Sequence, residues 1–278
     1  MPSYAGRIGE DVRDGVRLDR YIAESLKLLS RSQIKARRLT ARINGGPVKI
    51  SRMVRGGEAL ELFWEEAESP DLIPEEIPLD IIYEDERVIA INKAQGMVVH
   101  PGAGNGRGTL VNALLFYGKS RGWAPGGTTL RPGIVHRLDK DTSGVLIAAW
   151  DEEALAFLAG QFQRRLARKT YAAVVKGTPG EREGRIETLI CRDPGDRKRF
   201  TVSDTRGKPG LTWYRVMQSY GSHSLLLLRP RTGRTHQLRV HLRHLGHPIL
   251  GDPLYGSPDP RFPQATLMLH ARTLSVTL

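Results

Sequence analysis

The chain has 278 residues, 40% of them hydrophobic and 26% charged, a length and balance that suit about two domains with a buried core. Its single cysteine, Cys191, excludes an intramolecular disulfide framework and a multi-cysteine zinc site. Lys and Arg outnumber Asp and Glu by 42 to 30, a net charge of +12 that draws polyanions, nucleic acid foremost. No apolar run reaches the roughly 18 residues a membrane helix needs, and the N-terminus carries no apolar signal segment. A cytoplasmic protein with no membrane partner is therefore expected.

The charge is uneven, with a net of +6 over residues 1–64, −9 over 65–92 and +15 over 93–278. This divides the chain into a small domain over 12–64, an acidic, proline-containing linker over 65–80 and a larger domain over 81–278. In the small domain Leu18, Ile22 and Leu26 repeat every four residues on one helical face. A second helix is expected from Ser30, which forms a capping box with Gln33. Arg31, Lys35, Arg38 and Arg42 then follow at helical spacing as a single basic stripe. Such a stripe suits the phosphates of RNA or DNA, with a merely solvated face as the alternative. Ile43-Asn-Gly-Gly46 reads as a turn between this helix and strands at 48–50 and 59–64.

The larger domain mixes strands and helices. Strands are expected at 81–83 and 88–91 around the turn Glu84-Asp85-Glu86, and a buried strand at 144–149. Leu155, Leu158, Phe162 and Leu166 mark a helix, followed by a strand at 171–175. Gly177-Thr-Pro-Gly180 interrupts, and a strand at 225–228 and a helix at 237–244 follow. The class is α+β around one core.

Two motifs carry candidate chemistry. Gly133-Ile-Val-His-Arg-Leu-Asp-Lys-Asp-Thr-Ser-Gly144 leads directly into the buried strand, so Asp139 sits on a loop anchored by rigid structure. A carboxylate repels phosphates, so its presence in an acid-poor domain suggests catalysis. The alternative is that Asp139 and Asp141 cap a turn. In Arg229-Pro-Arg-Thr-Gly-Arg-Thr-His-Gln-Leu-Arg239, Gly233 breaks the strand and Thr235 is a possible helix cap. Arg234 ahead of it suits a bidentate carboxylate pair or a phosphate. Tyr171 is a half-buried strand aromatic or a platform for one unstacked base. His241 and His244 are spaced for a metal, but Arg239 and Arg243 flank them and no acid or cysteine is near, so no metal site is expected.

These residues identify a resemblance. Residues 81–278 resemble the RluA family of RNA pseudouridine synthases through His136-Arg-Leu-Asp-Lys-Asp-Thr-Ser-Gly144, Ile91-Asn-Lys93 and Lys169-Thr-Tyr-Ala-Ala-Val174. Thr232-Gly-Arg-Thr-His-Gln-Leu-Arg-Val-His241 and Gly246-His-Pro-Ile-Leu-Gly-Asp-Pro-Leu-Tyr-Gly256 add to it. Arg17-Leu-Asp-Arg-Tyr-Ile22, Ser30-Arg-Ser-Gln-Ile34 and Ile43-Asn-Gly45 resemble a small RNA-binding module shared by a ribosomal protein and several RNA-modifying enzymes. The likeness runs from Val12 to Leu274.

The resemblance implies a mixed, mostly antiparallel sheet flanked by helices and loops, plus a small α/β RNA-binding domain. It implies isomerisation of uridine to pseudouridine in large-subunit ribosomal RNA, with transfer RNA as the alternative substrate. By the same resemblance Asp139 is catalytic, Arg234 ion-pairs with it, Tyr171 lies against the target base, Leu238 lines the base pocket and Arg137 assists base flipping. No cofactor or metal is implied, and a monomer is expected. Ala94-Gln95 stands where the family has a Pro-containing pair. The chain ends at Thr277-Leu278, short of the family's usual C-terminus, either through shortening or through lack of a final edge element. A non-catalytic RNA-binding or ribosome-assembly protein remains the alternative of another class.

Overall fold

Ala59–Phe63 alternates half-buried and buried side chains, the period-2 pattern of a strand with one face on a core. In the computed structural model, which describes residues 2–12, 15–29, 31–65, 72–102, 106–123 and 132–278, this strand belongs to the first of two compact units, Met1–Asp71 and Leu72–Leu278. The first unit comprises β1 (Ser3–Arg7), β2 (Val16–Arg17), α1 (Leu18–Arg20), α2 (Arg31–Ala36), β3 (Thr40–Ile43), β4 (Gly46–Val48), β5 (Met53–Val54) and β6 (Ala59–Phe63). Its antiparallel sheet has the order β1-β6-β3-β4, and β2 pairs with β5. α1 runs into a wide π turn at Tyr21–Ser25, with Leu18 and Ile22 fully buried and Leu26 packed on the same core.

The basic helix is shorter than the arginine spacing implied. α2 stops at Ala36, Arg38 takes a left-handed φ of 46°, and Arg42 lies on β3 beside the Phe63 ring. Leu39, Ala41 and Ile43 are buried alternately, so the apolar period of a strand overrides the helical spacing of the arginines. Ser30, the expected cap of α2, lies outside the described residues.

The second unit holds β7 (Ile81–Glu84), β8 (Val88–Lys93), α3 (Leu110–Lys119), β9 (Ser143–Ala149), α4 (Glu152–Gln163), β10 (Arg168–Lys176), β11 (Glu183–Arg192), β12 (Phe200–Ser203), β13 (Lys208–Ser219), β14 (His223–Pro230), α5 (Gln237–His244) and β15 (Leu269–Ser275). Its nine-stranded sheet has the order β12-β11-β13-β14-β10-β15-β9-β8-β7. Every neighbouring pair is antiparallel except β15 and β9. The sheet is mixed and mostly antiparallel, and the class is α+β.

β8 and β9 are apolar on both faces because each face meets a core. Ile89, Ile91 and Leu146 pack with Leu110 and Leu114 of α3, whereas Val88, Ile147 and Ala149 pack with Leu158 of α4. Thr109 and Asn112 cap α3 reciprocally, satisfying two orphan N–H groups. The Asn112 amide also donates to the Ile73 carbonyl at 2.8 Å, and Glu75 accepts from the Gly108 N–H at 3.0 Å. The part of the expected linker around Ile73 and Glu75 is thus tied to the second unit, while residues 66–71 lie outside the described residues. α4 ends at Gln163, so Leu166 is exposed beyond it and does not share the helix face.

Candidate active site

The loop before β9 is pinned from several sides. The Ile134 backbone bridges to Ala148, and the His136 Nε2 accepts the Ile147 N–H at 3.2 Å. His136 stacks on Phe162, and burial, aided by the Lys169 charge, pushes its pKa down to about 3, so it is the neutral acceptor. Leu138 enters the core of α3. The Asp139 carbonyl, not its carboxylate, closes the following turn by accepting the Thr142 N–H at 3.1 Å. The turn-capping alternative for Asp139 therefore does not hold, and its carboxylate is free for other partners.

The far side of this loop is held by Lys93 and Gln95. Lys93 is buried and donates to the carbonyls of Ala94 and Met97, each at 2.8 Å, and of Lys140 at 3.1 Å. Burial lowers its pKa to about 8, against the raising effect of Asp141 and Asp139. The Gln95 amide donates to the carbonyls of Asp141 and Leu267 at 2.9 and 2.8 Å, and its oxygen accepts from Thr266. Side-chain bonds of Gln95 thus supply here the constraint that a proline supplies in the family's usual pair. At Gly144, φ is 111° and a Cβ would come within 2.3 Å of the Ala271 carbonyl oxygen, so only glycine lets β9 leave the loop against β15.

The second wall is the segment between β14 and α5. Gln237 is buried and organises it, its oxygen accepting from Thr232 Oγ1 and the Arg234 N–H while its amide donates to the Leu211 carbonyl and Thr212. The residue before α5 is His236 with a left-handed φ of 56°, so Thr235 is not the cap, and no side chain caps the helix; Gln237 instead ties the preceding loop through the Arg234 N–H. Arg239 is 4% exposed and makes two bonds, at 2.8 and 2.7 Å, to the fully buried Asp252 carboxylate. Burial opposes both charges, but these bonds more than offset it, raising the Arg239 pKa and lowering that of Asp252.

Together these elements and β10 enclose a cavity of about 480 Å³. Asp139, Arg137, Tyr171, Arg234 and Leu238 all line it, so the five residues drawn from three sequence motifs meet at one place. Among the described residues Asp139 is the only acid that lines it, with a side chain 22% exposed. Its Oδ2 lies 3.8 Å from Arg239 Nη1 and 3.9 Å from His236 Nε2. Burial lowers the His236 pKa despite the attraction of Asp139, and its Nδ1 bonds the Tyr255 hydroxyl at 2.8 Å. Tyr171 packs against the cores on both sides, and burial together with the Asp139 charge holds its hydroxyl in the protonated form.

The expected ion pair between Arg234 and Asp139 is not formed. Arg234 Nε donates to the Pro209 carbonyl at 3.0 Å, and the guanidinium next to Asp139 is that of Arg239, in the first turn of α5. Sequence reasoning noted Arg239 only as an argument against a metal. The signal available was Leu242, three residues on, an apolar residue that shares a helix face with Arg239 and is buried.

Arg31, Lys35 and Arg38 line a separate concavity in the first unit, and Arg42 does not. Arg31 and Arg17 both bond Asp19, at 3.1 and 3.0 Å, and Arg38 pairs with Glu65 at 3.3 Å.

Comparison with known proteins places this geometry. The sequence profile of the family described as RNA pseudouridylate synthase matches residues 87–244. The chain is 46% identical over 269 residues to the ribosomal large subunit pseudouridine synthase D of Borreliella burgdorferi, covering 95% of this chain and 82% of that protein. To the protein of that name in Escherichia coli strain K12 it is 43% identical over 265 residues, covering 94% and 78%. Among solved structures, human RNA pseudouridylate synthase domain containing 1 superposes with a TM-score of 0.58 at 30% identity, covering 72% of this chain and 79% of that one. The chain belongs to the RluA-type family of RNA pseudouridine synthases and is an isomerase of RNA uridines.

Proposed function

We propose that the chain converts uridine to pseudouridine in large-subunit ribosomal RNA, with Asp139 as the catalytic carboxylate. The observation that carries the reading is Asp139, the one acid among the described residues of the cavity lining, standing beside the fixed cation of Arg239. A nucleophilic or basic carboxylate acts in its charged form, which an adjacent cation favours. The relatives named for large-subunit synthase activity support the choice of RNA.

In this reading the target uridine leaves its stack and enters the cavity, a cost of a few kcal/mol offset by contacts in the pocket. Arg137 assists the flip, Tyr171 lies against the base and Leu238 lines its apolar side. The bond from ribose C1′ to N1 breaks, the uracil turns, and a bond from C1′ to C5 forms. C5 gives up its proton and N1 gains one, so the reaction balances without a cofactor. Arg234, bonded away from Asp139, contacts RNA instead. Arg31, Lys35 and Arg38 bind RNA phosphates in the first unit. In this reading the enzyme acts as a monomer, in the cytoplasm where ribosomal RNA is assembled.

The test is tritium release from ribosomal RNA labelled at uridine C5, comparing wild type with Asp139→Asn. Release by wild type alone is expected. Release by both would remove Asp139 from catalysis. Tight binding without release from ribosomal RNA would favour a transfer-RNA substrate, tested next, or a binding protein.

A further inference from the structure

Arg165 occupies a backbone conformation that suits glycine. It follows α4 with φ at 61°, its N–H bonded to the Phe162 carbonyl and that of Leu166 to the Gln161 carbonyl, the usual closure of a helix C-terminus. An L side chain is disfavoured in that left-handed position. Strain of this kind, retained at a cavity wall, points to a function of the side chain. Arg165 lines the Asp139 cavity, and no carboxylate among the described residues pairs with it.

Lys169 lines the same cavity from β10. It lies two residues before Tyr171 and on the same face of the strand, about 7 Å along it. Its Nζ lies 5.7 Å from the centre of the Phe162 ring and close to Gly233, where a Cβ would stand 3.9 Å away. Burial lowers its pKa, and among the described residues no carboxylate forms an ion pair with it. The ammonium has given up water without gaining a counter-ion, so it is incomplete without an anionic ligand.

We propose that Arg165 and Lys169 together hold a backbone phosphate of the RNA beside the target uridine, fixing the nucleotide while Tyr171 and Leu238 meet its base. Both groups only donate hydrogen bonds, so their ligand must supply acceptors and negative charge. A phosphodiester supplies both, whereas a uracil carbonyl would leave the Lys169 charge without compensation. Gly233 leaves the space beside Nζ free of a side chain. The inference rests on the proposed reaction for the identity of the bound nucleotide.

The test measures affinity for a large-subunit ribosomal RNA transcript against salt concentration, using the full chain as wild type, Arg165→Gly, Lys169→Met and Lys169→Arg. Each lost phosphate contact should lower affinity about tenfold. It should also reduce the slope of log affinity on log salt by about 0.7–0.9. Lys169→Arg should retain the wild-type slope. Arg165→Gly should melt no lower than wild type, because glycine fits the left-handed position. Wild-type slopes in both Arg165→Gly and Lys169→Met would overturn the proposal, as would a lower melting point in Arg165→Gly with unchanged affinity. Tritium release by wild type separates the two readings. Release with unchanged slopes leaves the reaction standing and removes the phosphate pair. Reduced slopes without release retain the RNA contact and remove the proposed reaction.

Discussion

Arg239 stands 3.8 Å from Asp139 and is fixed there by its two bonds to Asp252, so one buried guanidinium joins two carboxylates. Arg234, five residues earlier, shares the cavity but points its Nε at a backbone carbonyl. Structure and chemistry therefore separate at these two arginines. Arg239→Met should cost about 3–5 kcal/mol of stability, because it leaves the Asp252 charge buried without a partner. Arg234→Gln should leave the urea midpoint near that of wild type and weaken RNA binding. Asp139→Asn should keep the fold and lower conversion about 100-fold or more. Urea unfolding, RNA affinity and tritium release together check all three. A stable Arg239→Met protein would show that the Asp252 pair does not hold the site.

Lys93 acts at a distance from the reacting atoms. Its ammonium gathers three carbonyls, one of them Lys140 next to Asp139. Lys93→Met keeps the length of the side chain and removes every donor, so the Ala94 and Met97 carbonyls lose this bond and that of Lys140 keeps only the Gly96 N–H. We expect a loss of about 1–3 kcal/mol in stability. Single-turnover conversion should slow while RNA affinity stays near wild type, because Lys93 faces no solvent. Equal losses in affinity and rate would place Lys93 in RNA binding instead.

In the first unit Arg31, Lys35 and Arg38 line a common concavity together with Arg17, and Arg42 stands apart on β3. Lys35→Glu with Arg38→Glu should weaken RNA binding strongly and flatten its salt dependence by about 0.7–0.9 per lost phosphate contact. The single-turnover rate at saturating RNA should be unchanged. Arg42→Glu should do markedly less. If Arg42→Glu equals the double variant, the RNA path follows the strand and not the concavity.

The loop that carries Asp139 was legible because its residues are contiguous and lead into an uninterrupted apolar strand. Asp139, Arg137, Tyr171 and Leu238 were found from motifs, and the structure brings all four to one cavity. The partner of Asp139 was not legible, because the role of Arg239 depends on Asp252, which is placed by the turns after α5. β11 and β13 escaped for a different reason. One face of each is open to solvent, and their sequences mix charges such as Glu183, Arg185 and Arg215 with the apolar positions. The arginines from Arg31 to Arg42 satisfied a helical period by coincidence of spacing, while Leu39, Ala41 and Ile43 carried the strand period that burial enforces.

His241 supplies a test of the core by pH. It is wholly buried between Thr212, 2.9 Å from Nδ1, and Thr188, 3.1 Å from Nε2. Burial, with the nearby His244, pushes its pKa from 6.5 down to about 4. Between those values the unfolded chain binds a proton that the folded chain refuses, so stability rises with pH there and is lost on acidification. Above pH 6.5 neither state is protonated at this site, and below about 4 both are, so the loss is confined to that window. From pH 6.5 to 5 this one group should remove about 2 kcal/mol. His241→Gln does not titrate, so its stability should fall correspondingly less over the same range in urea unfolding. Parallel pH profiles for the two proteins would mean that His241 takes up its proton inside the fold, with the two threonines turning to accept from both ring nitrogens.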